Sequence, residues 1–220
     1  MNRAPIEIDT FHHVYNRGTD KRLIFMDDAD RKLFLKYLHI LNDADIESPS
    51  KSIKAREKTE KAARRLVNIC AFCLMSNHFH LLLHEHLEGG ISKFMQRVGT
   101  AYTMYFNEKY DRSGGLFQGA FKSRLIGDES YLMRVIDYIH VNPIQHRKED
   151  GSKKMILESD LKFLDKYTWS SYRDYCGQPT HATLLQREAL DDYLEIPKNY
   201  QAWLFEQNDF TDLGNLAIDN

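Results

Sequence analysis

Two repeat lengths in the placement of apolar side chains organise most of this chain. Leu66 to Met75 and His78 to His86 are strand-length runs crowded with apolar and aromatic residues, and Ser76-Asn77 forms a tight connection between them. Phe11 to Gly18 alternates sufficiently for a first strand closed by Gly18, and Leu116 to Ile126 reads as a fourth. Elsewhere the spacing is three and four. Asp27-Asp28-Ala29-Asp30 places acids in the first turn ahead of Leu33 to Leu38, and Gly89-Gly90 introduces an amphipathic run from Ile91 to Asn107. A third helix carries Leu132, Val135, Ile136 and Ile139 on one face, with Asp128 as its N-cap, and Pro143 predicts a stop at Asn142. The order β-α-β-β-α-β followed by a helix predicts an α+β protein. Its centre is a ferredoxin-like antiparallel sheet with helices on one face, followed by a C-terminal helical segment.

Strand and helix geometry place two pairs of polar residues together. Successive strand side chains point to opposite faces, so His78 and His80 emerge side by side while Phe79, Leu81 and Leu83 point away. Two adjacent imidazoles are a plausible metal-donor pair. Tyr138 and Asn142 are four apart and share a helix face, presenting a phenol and an amide oxygen to one centre. His84-Glu85-His86 repeats the histidine spacing on the same face, but lies near the strand's end and reads as surface.

Composition narrows the class. At 220 residues, 42% hydrophobic and 12% aromatic, the chain is long enough for one sizeable core. No run of about 18 apolar residues spans a bilayer, and Met1 to Thr10 lacks an apolar leader segment, so a cytoplasmic location is expected. Three cysteines, Cys70, Cys73 and Cys176, cannot all pair and read as free thiols. Cys70 and Cys73 form a lone C-x-x-C without the second pair a zinc site wants. The net charge of −2 does not advertise a nucleic-acid binder. Its distribution is more informative: residues 1 to 147 carry +4 and residues 148 to 220 carry −6. Residues 51 to 65 hold seven basic and two acidic side chains with almost nothing apolar, reading as a solvated excursion.

Several longer motifs fall in a recognisable order: His13-Val14-Tyr15-Asn16-Arg17-Gly18, then Cys73 to Leu83, then Ser113-Gly114-Gly115-Leu116-Phe117-Gln118-Gly119. Phe121-Lys122-Ser123, Tyr138-Ile139-His140-Val141-Asn142-Pro143 and Trp169-Ser170-Ser171-Tyr172 complete the set. Over roughly residues 11 to 176 the chain resembles the HUH single-tyrosine transposase family of insertion sequences, which includes the REP-associated tyrosine transposases. Two departures stand out. Ala120 replaces the basic residue that usually follows the Leu-Phe-Gln-Gly run, and the charged stretch at about 44 to 65 looks like an insertion.

The resemblance implies a catalytic domain over residues 1 to 147 and an accessory C-terminal segment, 148 to 220, packing on it. It implies that His78, His80 and Asn142 hold Mg²⁺ or Mn²⁺. It further implies that Tyr138 attacks single-stranded DNA, leaving a 5′-phosphotyrosine and a 3′-OH beside a DNA hairpin. Arg17, Arg112, Lys122 and Arg124 are the phosphate contacts such a site would use. The protein would act without a membrane, as a monomer or homodimer. The competing readings are a catalytically silent protein that binds hairpin nucleic acid on the same sheet, and a metal phosphoesterase that uses water in place of tyrosine.

Overall fold

The computed structural model describes residues 6–45, 64–145 and 156–207. Most of the charged insertion, residues 46 to 63, and the acidic end from residue 208 lie outside the described residues. Four strands, β1 (Phe11–Arg17), β2 (Val67–Leu74), β3 (His78–Glu85) and β4 (Lys122–Ile126), form one sheet in the order β2-β3-β1-β4. Every neighbouring pair is antiparallel. With helices α1 (Asp28–Ile40) after β1 and α2 (Gly90–Lys109) after β3, this is the ferredoxin-like arrangement.

Local chemistry explains where the two helices begin. Asp27 caps α1 by accepting from the Asp30 backbone N–H at 2.9 Å, while the Asp30 carboxylate accepts from the Asp27 N–H at 3.3 Å. The buried Asp30 carboxylate also accepts from Tyr105, Lys109 and Tyr110 on and just beyond α2, tying the two helices together. At the start of α2, Glu85 Oε2 accepts from Ile91 N at 2.7 Å, so the end of β3 caps the helix that follows. A β-carbon on Gly90 would collide with the Leu66 carbonyl, so only glycine lets the two segments approach.

The sheet is covered on both faces. Val14, Phe72, Phe79, Leu81 and Leu83 pack against Phe34, Leu38, Phe94 and Val98 of α1 and α2. The opposite face, with Leu82, Ala71 and Cys73, packs against α3 (Glu129–Gln145) and the C-terminal segment. Leu132, Val135, Ile136 and Ile139 are the α3 stripe that the spacing predicted. A register shift between Ile69 and Ala71 inserts Cys70 as an extra residue in β2, which brings both Cys70 and Cys73 to the α3 face. Both are free, buried thiols whose pKa burial pushes well above the usual range.

The C-terminal segment contributes α4 (Glu158–Leu164), α5 (Tyr172–Tyr175) and α6 (Tyr200–Gln207). It also runs beside the outer edge of β2. Leu74 N donates to Trp169 O, Ser171 N to Phe72 O, and Ile69 exchanges hydrogen bonds with Gln186. That edge is therefore covered, while β4 remains the open edge among the described strands.

Three local expectations need correction. The fourth strand is Lys122–Ile126 and does not begin at Leu116. Gly119 adopts φ of 150°, which breaks the ladder, and only a single bridge joins Gly18 to Phe117. Helix α3 runs on through Pro143 to Gln145. An interior proline costs about 3 kcal/mol, and the residues past Asn142 offset part of that cost by burying Ile144, which contributes about 1.5–3 kcal/mol. His84 is buried rather than on the surface: Asn68 Nδ2 donates to its Nδ1 at 3.2 Å, and its Nε2 lies 3.1 Å from Asp9 Oδ1.

Candidate active site

The register of the central strands decides which side chains share the α3 face. Antiparallel partners lie directly opposite and on the same side. Arg17 pairs with His78, Tyr15 with His80, His13 with Leu82, and on the other side Tyr15 with Lys122 and His13 with Arg124. One face therefore carries His13, Tyr15, Arg17, His78, His80, Lys122 and Arg124 together. Helix α3 lies across it.

Each imidazole is held by its neighbours. His78 opens β3 directly after the turn, and its Nδ1 lies 2.6 Å from Asn77 Oδ1 while its Nε2 lies 3.3 Å from Asn142 Oδ1. A neutral ring has one proton to donate. When it donates from Nδ1 to Asn77, the Nε2 lone pair faces the Asn142 oxygen, and two such donors converging on one point suit a divalent cation. The His80 ring lies 5.0 Å from that of His78 at 87°, and its Nδ1 is 2.8 Å from His13 Nε2. His13 is driven down to about 3, first by burial and then by the charge of Arg124, so it is neutral near pH 7.

Tyr138 reaches the same place from α3. Its ring stands edge-on to His80, with centroids 5.4 Å apart at 89°, and to His13 at 5.8 Å and 81°. Tyr138, His78, His80 and Asn142 are each 3% exposed or less. His140, two positions on, points away: its ring nitrogens lie 2.7 Å from Tyr200 Oη and 2.8 Å from Ser171 Oγ.

Three of the four basic residues expected at phosphates rim this face. Lys122 and Arg124 are exposed on the open edge strand, Arg17 is half-buried with Nη2 donating to Gln118 Oε1 at 3.4 Å, and Arg124 lies 5.8 Å over the Tyr131 ring. Arg112 is not brought to the group. It follows α2, on the other side of the sheet, where its Nη1 donates to Asn107 Oδ1 at 3.0 Å and its guanidinium lies over Phe106. Sequence reasoning did not single out His13, Tyr15 and Asn77 as parts of the site. For His13 and Tyr15 the available signal is that they share strand parity with Arg17, although their meeting with His80 depends on pairing 67 and 65 residues away. Among the described residues no group of three or more His, Cys, Asp and Glu side chains forms a metal cluster, and the donor set here is two imidazoles and an amide.

Residues 39–142 match the family model described as Transposase IS200 like, a span that contains both histidines, Tyr138 and Asn142. Over this span, a little under half of the chain, the sequence is similar to the IS200-like transposase family, the single-tyrosine class that its motifs resemble. Among solved structures, a REP-associated tyrosine transposase bound to a REP hairpin is 15% identical, with a TM-score of 0.47, over 81% of this chain and 85% of that one. No curated protein matches the chain. No helix among the described residues is long and apolar enough to cross a membrane.

Proposed function

We propose that the protein is a metal-dependent nickase and strand transferase for single-stranded DNA next to a hairpin, with Tyr138 as nucleophile. The observation that carries this reading is the meeting of Tyr138 and His80, 5.4 Å between ring centroids, beside the 3.3 Å contact of His78 Nε2 with Asn142 Oδ1. The phenolic oxygen attacks the scissile phosphorus, a P–O bond forms to tyrosine, and the bond to the 3′ oxygen breaks. The phenol gives up its proton and the departing oxygen takes one up as a 3′-OH. Attack by a 3′-OH on the phosphotyrosine reverses the exchange and joins strands without a nucleotide cofactor.

His78, His80 and Asn142 are the residues that would hold Mg²⁺ or Mn²⁺. Such an ion, when bound, supplies Lewis-acid polarisation of the phosphate oxygens. Arg17, Lys122 and Arg124 rim the same face and hold the strand's phosphates, whereas Arg112 would contact DNA away from the reacting centre. Because Tyr138 and the three donors are each 3% exposed or less, DNA reaches them only through a change that uncovers this face.

Incubation with Mn²⁺ and end-labelled single-stranded hairpin DNA should give a protein–DNA adduct that survives denaturation. Tyr138→Phe should abolish it while leaving DNA binding intact. Binding without an adduct in the unaltered protein would favour the silent hairpin binder. Cutting that persists in Tyr138→Phe would favour water as nucleophile.

A further inference from the structure

His13 is fully buried in the heart of the sheet, an expensive place for an imidazole that serves only as packing. Its ring lies parallel to that of His80, with centroids 5.0 Å apart at 12°, and one hydrogen bond of 2.8 Å joins His13 Nε2 to His80 Nδ1. Among the described residues no hydrogen-bonding partner reaches the other ring nitrogen, His13 Nδ1. The whole polar function of this side chain in the fold is therefore directed at His80.

The shared bond has two possible senses, and they differ in what His80 offers on its other side. If His13 donates, His80 carries its own proton at Nε2 and presents an N–H. If His80 donates from Nδ1, its Nε2 carries a lone pair and the ring is ready to bind a cation. We infer that His13 is a positioning residue for His80, accepting the Nδ1 proton and so fixing both the tautomer and the orientation in which His80 Nε2 binds a divalent cation. The inference rests on the reading of His80 as a metal donor. Carboxylates and backbone carbonyls commonly fill this outer role, and removing such a partner typically weakens metal binding 10- to 100-fold. Here a second histidine from the neighbouring strand occupies that position.

The test is Mn²⁺ titration of the full-length protein by calorimetry, without DNA, comparing the unaltered chain with His80→Ala, His13→Phe and His13→Gln. Phenylalanine keeps a flat ring and removes the acceptor; glutamine restores an acceptor oxygen. The inference predicts a loss for His80→Ala, a roughly 10- to 100-fold weaker affinity for His13→Phe, and recovery in His13→Gln. Undiminished affinity in His13→Phe, with His80→Ala weakened, overturns the role of His13 alone. Undiminished affinity in His80→Ala overturns the metal-donor reading and this inference with it. Ring-nitrogen NMR of the unaltered protein gives an answer that does not depend on any variant folding: the proton of His80 belongs on Nδ1, and finding it on Nε2 would overturn the proposal.

Discussion

At the scale of single residues, burial has set the protonation of several groups around the tyrosine helix, with opposite consequences for stability. His140 is driven down to about 3, mainly by burial and secondly by the charge of Arg187. Unfolding returns the ring to its ordinary value of 6.5, so the unfolded chain takes up a proton that the fold refuses. The fold therefore loses stability as pH falls from about 6.5 toward 3, and this group has no effect above 6.5. Asp137, pushed up to about 6 by burial, works the other way. Its contribution is full below about 4, where both states are protonated, and is lost as pH rises from there through about 6. Thermal melts between pH 4 and 8 should show a shallower acid-side decline for His140→Gln than for the unaltered protein, even though the variant is less stable at pH 7. Parallel curves would show that His140 accepts a proton in the folded state.

At the scale of elements, α3 is fastened from two sides. Its apolar stripe and Tyr138 face the sheet, while Asp137 and His140 face the C-terminal segment, where the Tyr200 hydroxyl donates to Asp137 Oδ1 at 2.8 Å and touches His140 Nδ1. Trp203 Nε1 donates to the other Asp137 oxygen at 3.2 Å. Removing that hydroxyl in Tyr200→Phe strands two buried partners and should cost about 1–3 kcal/mol in chemical denaturation; a change below about 0.5 kcal/mol would show that water replaces it. None of this fastening could be read locally, since Tyr200 lies 63 residues from Asp137. What could be read was local in origin: the alternation that turns His78 and His80 together, the four-residue step from Tyr138 to Asn142, and the acidic start of α1. The end of α3 differs from the proline expectation because the helix continues past Asn142 and buries Ile144 against the core, which offsets part of the cost of the lost backbone bond. His84 looked like surface because its cover comes from Asp9 and Asn68, on separate segments.

At the scale of the whole molecule, a chain of net charge −2 concentrates its relevant cations where the chemistry would be. Lys122 and Arg124 lie on the open strand β4 and Arg17 at the end of β1, all on the face that carries His78 and His80. Each phosphate contact on single-stranded DNA adds about 0.7 to the slope of log affinity against log salt. Lys122→Ala and Arg124→Ala should each flatten that slope by about this amount, and Arg112→Ala should flatten it less, because its guanidinium is engaged at the end of α2. Equal slopes for Lys122→Ala, Arg124→Ala and the unaltered chain would move the DNA path off the β4 edge. All these expectations depend on Tyr138 being the atom carrier that joins DNA. After reaction with Mn²⁺ and hairpin DNA, nuclease trimming and tryptic digestion, mass spectrometry should find the residual nucleotide on the peptide from Val135 to Arg147, whose one tyrosine is Tyr138. A nucleotide on another tyrosine, or cleaved DNA with every tyrosine unmodified, would contradict the account.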